Sequence, residues 1–172
     1  MKDILTFKTE EHSWLSNMTL VDIECDGIVY KSTENFYQAC KYNDIKTKQL
    51  IAKLNPYKAK KYSRNNPMTN KSFDDNKLTY MEYALTKKFS QEPFKSKLLA
   101  TGGCHIEEGN WWGDTFWGVD IKTRKGENNL GKLIMKIRSN LYTKSFDDIV
   151  EIPLIGERKT TSGLENCSIW LD

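Results

Sequence analysis

Val21, Ile23 and Cys25 alternate with Asp22 and Glu24, and Asp26-Gly27 then leads into Ile28-Val29-Tyr30. Alternation of period two sends one set of side chains to one face of a strand. An Asp-Gly pair between two such runs supplies the positive φ angles of a tight turn, so the pattern predicts a β hairpin. The period then changes. A helix is expected to open near Ser32-Thr33 and run to about Tyr42, with Phe36, Ala39 and Cys40 turned toward the core. Asn55-Pro56 reads as a cap and first helical residue for a helix reaching Arg64. Asp74-Asp75 precede a longer helix striped by Leu78, Met81, Leu85 and Phe89. Pro93 opens a short helix that carries Leu98 and Leu99 and stops at Gly102-Gly103. The last clear helix runs from about Asn129 to Leu141, with Leu130, Leu133, Ile134, Ile137 and Leu141 at buried-face spacing. An aromatic, glycine-rich loop separates these last two helices. Beyond Tyr142, residues 150–155 and 168–171 are candidates for short strands.

The sum is an α+β fold, a predominantly helical single domain with a small antiparallel β hairpin or sheet. Residues 1–142 are expected to form it, with residues 143–172 as a C-terminal extension packed on the domain. A chain of 172 residues is long enough to bury one substantial core. Hydrophobic residues at 38% and charged residues at 28% place it in the globular class. No apolar run approaches the roughly 20 residues of a membrane span. The first residues carry an acid and lack a long apolar stretch, so a cytoplasmic location and no membrane partner are expected. The four cysteines are widely spaced with no C-x-x-C pair, which reads as reduced, packed thiols. Neither His12 nor His105 stands at a ligand spacing, so no zinc site and no cofactor are expected, while carboxylate-bound magnesium stays open.

The net charge of +3 says less than its distribution: seven lysines fall within residues 41–61 against one acid, Asp44. They form either a solvated helical face or a basic rim that attracts phosphate or nucleic acid. Three local groupings carry candidate chemistry. On a helix, Glu34, Gln38 and Lys41 fall at i, i+4 and i+7 and share one face. The alternative is that Glu34 serves the helix dipole and Lys41 is solvated. Gly109-Asn110-Trp111-Trp112-Gly113-Asp114-Thr115-Phe116-Trp117-Gly118 gathers three tryptophans beside an acid. It reads either as a core plug or as a surface on which bases stack, with Asp114 held as a catalytic acid. Gly126-Glu127-Asn128-Asn129-Leu130-Gly131 leads into the last helix, as an anion site or an ordinary Asn cap.

Together these segments resemble the NADAR (YbiA-like) family over roughly residues 7–142. The resemblance lies in Leu15-Ser16-Asn17, Thr33-Glu34-Asn35-Phe36-Tyr37-Gln38-Ala39-Cys40-Lys41, and Asn55-Pro56-Tyr57-Lys58-Ala59-Lys60 with Ser63-Arg64. It continues in Lys88-Phe89-Ser90-Gln91, Leu98-Leu99-Ala100-Thr101-Gly102, Asp114-Thr115-Phe116-Trp117-Gly118, and Gly126-Glu127-Asn128-Asn129-Leu130-Gly131-Lys132-Leu133-Ile134-Met135, closing with Arg138. It departs from the family at Asn35, where His is common, and at Ser63, where Gly is common. Residues 65–76 lack the family's usual Trp-containing stretch.

The resemblance implies an N-glycosidase, a hydrolase acting on N-glycosyl compounds. It cleaves between a phosphorylated ribose or ADP-ribose and a base, in riboflavin-pathway aminopyrimidine intermediates or ADP-ribosylated guanine. The implied partner is a phosphoribosyl or ADP-ribosyl small molecule, with ADP-ribosylated nucleic acid as a second candidate. Glu34, Lys41 and Asp114 occupy motif positions and are the expected catalytic residues. Asn17, Lys60, Arg64, Trp117 and Asn128 also match family positions. With Gln38 and Trp112 they form the expected substrate-binding set. Cleavage builds positive charge at the anomeric carbon and the departing nitrogen needs a proton. Glu34 is expected to meet the charge or activate water, and Asp114 to supply the proton. Lys41 offers a competing route through a Schiff base. Lys60 and Arg64 suit a phosphate, and Trp117 would stack on base or ribose. Two rivals are a non-catalytic ADP-ribose or nucleotide-binding module and a nucleic-acid-binding protein.

Overall fold

The computed structural model describes residues 2–143, and the chain divides into two compact units. Of the described residues, 20–84 belong to one, and 2–19 together with 85–143 belong to the other. The expected strands at 150–155 and 168–171, the packing of the extension, and Cys167 lie outside the described residues. Among the described residues there are six α-helices and four short strands, an α+β fold dominated by helix. No described helix is long and apolar enough to cross a membrane. Cys25, Cys40 and Cys104 are buried.

The unit of residues 20–84 begins with the expected hairpin. Strands β1 (Ile23–Cys25) and β2 (Ile28–Tyr30) pair antiparallel, Ile23 opposite Tyr30 and Cys25 opposite Ile28. The turn works because Asp26 and Gly27 both take positive φ, 51° and 69°. Ile23, Cys25, Ile28 and Tyr30 are buried, and Glu24 and Val29 face out.

Helix α1 (Thr33–Ala39) opens where expected, with Ser32 Oγ accepting from Asn35 N at 3.1 Å and donating to Asn35 Oδ1 at 2.6 Å. It stops short of Tyr42. The carbonyl of Lys41 accepts from Thr69 N and Asn70 N, and that of Cys40 from Asn70 Nδ2 at 2.8 Å, so the chain turns away there. Helix α2 (Ile45–Lys53) was not foreseen from periodicity. Asp44 caps it through Thr47 N at 2.8 Å, but a lysine, Lys48, takes a buried position on its inner face and breaks the apolar signal. Of the seven lysines at 41–61, five are exposed, Lys41 is half-buried and only Lys48 is buried. Helix α3 (Pro56–Asn65) starts as expected, Asn55 Oδ1 accepting from Tyr57 N at 2.9 Å.

Helix α4 (Phe73–Phe89) contains the boundary between the units. Its expected stripe needs one correction: Leu78 is 42% exposed. The buried face of its first half belongs instead to Phe73, Tyr80 and Met81. The rings of Phe73 and Tyr80 stack at 5.9 Å and Tyr37 packs against Phe73 at 5.2 Å, so bulkier aromatics take the inner face.

In the other unit Ile4 bridges to Ile106 in parallel, through Ile4 N to His105 O at 2.9 Å and Glu107 N to Ile4 O at 2.7 Å. Helix α5 (Phe94–Ala100) follows Pro93 and ends into Gly102, at φ 54°. The aromatic loop is flanked by two short strands that the sequence did not announce, β3 (Gly109–Asn110) and β4 (Val119–Asp120), paired parallel. Helix α6 (Asn129–Thr143) buries Leu130, Ile134 and Ile137 as expected, with Leu133 and Leu141 half-buried. Arg138 ties it to the turn after α5, donating to Thr101 Oγ1 at 2.8 Å and to Cys104 O at 2.9 Å.

Lys88 is fully buried in this unit, its Nζ donating to Ser16 O at 2.8 Å and lying 5.3 Å from the ring centroids of Phe89 and Phe94. Burial disfavours the ammonium and lowers its pKa to about 7. An unfolded lysine titrates near ~10.4. Between these values the unfolded chain binds a proton that the folded chain lacks, so stability contributed here rises with pH across that window and is flat below it. Urea titrations from pH 7 to 10 should therefore show the wild type gaining stability relative to Lys88→Met. Parallel pH profiles for the two proteins would contradict this.

Candidate active site

Every residue of α1 is buried, Glu34 included at 5% exposure. Gln38, one turn on, donates from Nε2 to Glu34 Oε1 at 2.8 Å, as the shared face requires. Lys41 lies just past the helix and is half-buried, its ammonium 5.8 Å and 5.4 Å from the ring centroids of Tyr37 and Phe73. Desolvation lowers its pKa from the ordinary 10.5; Glu34 and Asp74 act against that shift, and Lys60 adds to it. These effects group Glu34, Lys41, Lys60 and Asp74 electrostatically. Lys60 and Arg64 lie one turn apart on α3, both exposed. Asn35 is spent on packing: its Nδ2 donates to Ile51 O at 2.7 Å and Leu54 O at 2.9 Å, closing the end of α2.

The remaining expected site residues belong to the other unit. Asn17 is half-buried beside Ser16, whose carbonyl Lys88 holds. Asp114 organises its own loop, with Oδ1 accepting from Phe116 N at 3.2 Å and Trp117 N at 2.9 Å. The centre of that loop is a residue the sequence reading passed over, the fully buried Asn110. Its Nδ2 donates to Asp114 O at 2.8 Å, Glu108 Oε2 at 3.2 Å and Val119 O at 3.4 Å, and its Oδ1 accepts from Asp114 N at 3.0 Å. Nothing in the local sequence separates such an asparagine from a surface one, since its partners come from both sides of the loop. Gly118 is required there, because a Cβ would fall 2.1 Å from the backbone carbonyl oxygen of Glu108.

Trp111 and Trp112 are 53% and 56% exposed, which corrects the core-plug alternative for this pair. Lys8 lies over the Trp112 ring at 4.9 Å. Trp117 is half-buried, edge-on to Phe116 at 5.0 Å. Asn128, at φ 52°, commits its amide to backbone, accepting from Glu108 N at 3.1 Å and donating to Ile106 O at 3.0 Å. The N–H groups of Asn129 and Leu130 reach Phe116 O and Trp117 O, so the opening of α6 is tied to loop carbonyls, which disfavours the anion-site alternative. Among the described residues, no three His, Cys, Asp or Glu side chains are grouped to hold a metal ion.

Residues 6–142 match the family model of the NADAR domain, and the chain belongs to that family. The N-glycosidase YbiA of Escherichia coli (strain K12) is 30% identical over 140 residues, covering 77% of this chain and 84% of that protein. A riboflavin biosynthesis protein of Vibrio vulnificus (strain YJ016) is 30% identical over 145 residues and covers 83% of this chain. The match spans only 39% of that longer protein. The NMR structure of E. coli YbiA matches with a TM-score of 0.71 at 28% identity, covering 83% of this chain and 88% of the other. Relatives named N-glycosidase put a glycosylase-type hydrolase at the level of the family.

The hub role of Asn110 is directly testable. Asn110→Ala strands several buried partners and should cost about 2–4 kcal/mol. Thermal unfolding and tryptophan emission report it; an unchanged melting temperature would show that the loop holds without this amide.

Proposed function

We propose that this protein is an N-glycosidase that hydrolyses the bond between the anomeric carbon of a phosphorylated ribose, or of ADP-ribose, and a nitrogen base. The observation that carries the reading is a buried carboxylate, Glu34, whose charge acts on the half-buried amine of Lys41, an amine that desolvation nonetheless leaves with a lowered pKa. Exposed cations on α3 lie within the same unit. Departure of the base leaves positive charge on C1′, and the leaving nitrogen takes up a proton. Glu34 meets that charge or activates the attacking water, held in one orientation by the Gln38 N–H. Lys41 gives up a proton more readily than an ordinary lysine and serves the leaving nitrogen. Lys60 and Arg64 bind the phosphate. Asp114 is assigned to holding the loop of Trp117 in shape, since its Oδ1 already accepts two backbone N–H groups.

The name of the Vibrio relative favours a phosphoribosyl aminopyrimidine of riboflavin synthesis as substrate. A second reading, that the modified base sits in a nucleic acid, draws on exposed Trp111 and Trp112, because bases stack on such faces. Steep salt dependence of affinity separates that reading from a free metabolite.

Glu34→Gln should lower kcat by about 10²–10⁴-fold with the circular dichroism spectrum unchanged; wild-type turnover in that variant would end the reading. Lys41 has a competing route, in which its neutral amine displaces the base at C1′, the glycosylamine so formed breaks its C1′–O4′ bond to give an imine while O4′ takes a proton, and water later hydrolyses that imine. Borohydride then traps a sugar on Lys41 and the rate climbs as pH rises through the lowered lysine pKa. Proton donation predicts no trapping and a falling rate over the same range.

A further inference from the structure

Gln38 is 4% exposed, and its two amide atoms have different fates. A carboxylate offers only acceptors, so the NH₂ group must face Glu34, and the carbonyl is thereby turned away from that oxygen. That carbonyl, Oε1, is shut off from solvent and meets no donor among the described residues. Buried polar atoms are almost always matched, and an unmatched one needs an explanation. Thr33 Oγ1 and Ser63 Oγ are also unmatched among the described residues, but a hydroxyl can rotate to find a weak acceptor. The Gln38 amide has no such freedom, because turning it would set its carbonyl against a carboxylate.

We infer that Gln38 Oε1 accepts a hydrogen bond from the 2′-hydroxyl of the substrate ribose, making Gln38 the residue that selects ribosyl over 2′-deoxyribosyl compounds. The inference rests on the N-glycosidase reading, which sets Glu34 beside C1′. Oε1 shares a carbon with the nitrogen that touches Glu34, so it lies next to that position. The ring oxygen and an ionised phosphate carry no donor, and the N–H of a linking amine on C1′ departs with the base. The hydroxyl on C2′, attached to the carbon next to C1′, is a donor that stays with the sugar from substrate to product. As charge builds at C1′ that hydroxyl becomes a stronger donor, so the contact strengthens toward the transition state. Access requires a side chain to move aside.

The test is calorimetric binding of ribose 5-phosphate and 2-deoxyribose 5-phosphate to the wild type and to Gln38→Met, a near-isosteric change that removes the acceptor together with the N–H that holds Glu34, so the preference between the two sugars is read and not the affinity for either. The wild type should prefer the ribose by about tenfold or more, and the variant should bind both alike. A wild-type measurement with 2-deoxy-2-fluororibose 5-phosphate needs no folded variant. Fluorine cannot donate, so this sugar should bind as weakly as the deoxy compound. A variant that keeps the preference, a fluoro sugar that binds like ribose, or a wild type that binds neither sugar or both equally would overturn the assignment. Turnover of an N-ribosyl substrate judges the underlying reading separately. Sugar discrimination without turnover would leave Gln38 assigned and the hydrolase reading lost, and turnover without discrimination would do the reverse.

Discussion

A short helix that is buried on all sides must find partners for its polar side chains, and that constraint organises the unit of residues 20–84. Four of the buried residues in and before α1 are Ser32, Glu34, Asn35 and Gln38. Ser32 and Asn35 close on one another, and the Asn35 amide then reaches the carbonyls that end α2. Because α2 ends directly before the Asn55-Pro56 start of α3, the same amide fixes where α3 begins. On another side of the helix the Gln38 N–H reaches Glu34, while the Gln38 carbonyl stays unmatched among the described residues. In a low-dielectric interior each of these contacts is stronger than in water, and each would be costly to lose, so the polar core is rigid as well as specific.

That rigidity is what gives the candidate site its chemistry. A carboxylate preset by an amide needs little reorganisation when positive charge appears near it. The amine of Lys41 sits against aromatic rings that remove its water without supplying a counter-ion, which is why desolvation outweighs the pull of Glu34 on its pKa. The other unit uses the same device for a different end. Asn110 joins both flanks of the aromatic loop through one buried amide, Asp114 closes the turn inside it, and Gly118 leaves room for the Glu108 backbone carbonyl. Trp111 and Trp112 are thereby displayed on a fixed frame instead of being absorbed into a core.

The sequence by itself determined whatever depends on neighbours along the chain. The hairpin turn at Asp26-Gly27, the caps at Ser32 and Asn55, the faces of α5 and α6 and the shared face of Glu34 and Gln38 are all local geometry written in residue spacing. The NADAR motifs were legible for the same reason, as short runs in fixed order. Tertiary structure alone decided the rest. The end of α1 was set by a segment near residue 70, the inner face of α4 by aromatics from α1 and its own first turn, and the existence of α2 by an Asp cap and a buried lysine that mimic a solvated stretch. The role of Asn110, the commitment of Asn128 to backbone and the unmatched carbonyl of Gln38 belong to the same class. Each turns on which distant donor or acceptor arrives beside a polar atom, and desolvation makes that arrival decisive while leaving no trace in the local pattern.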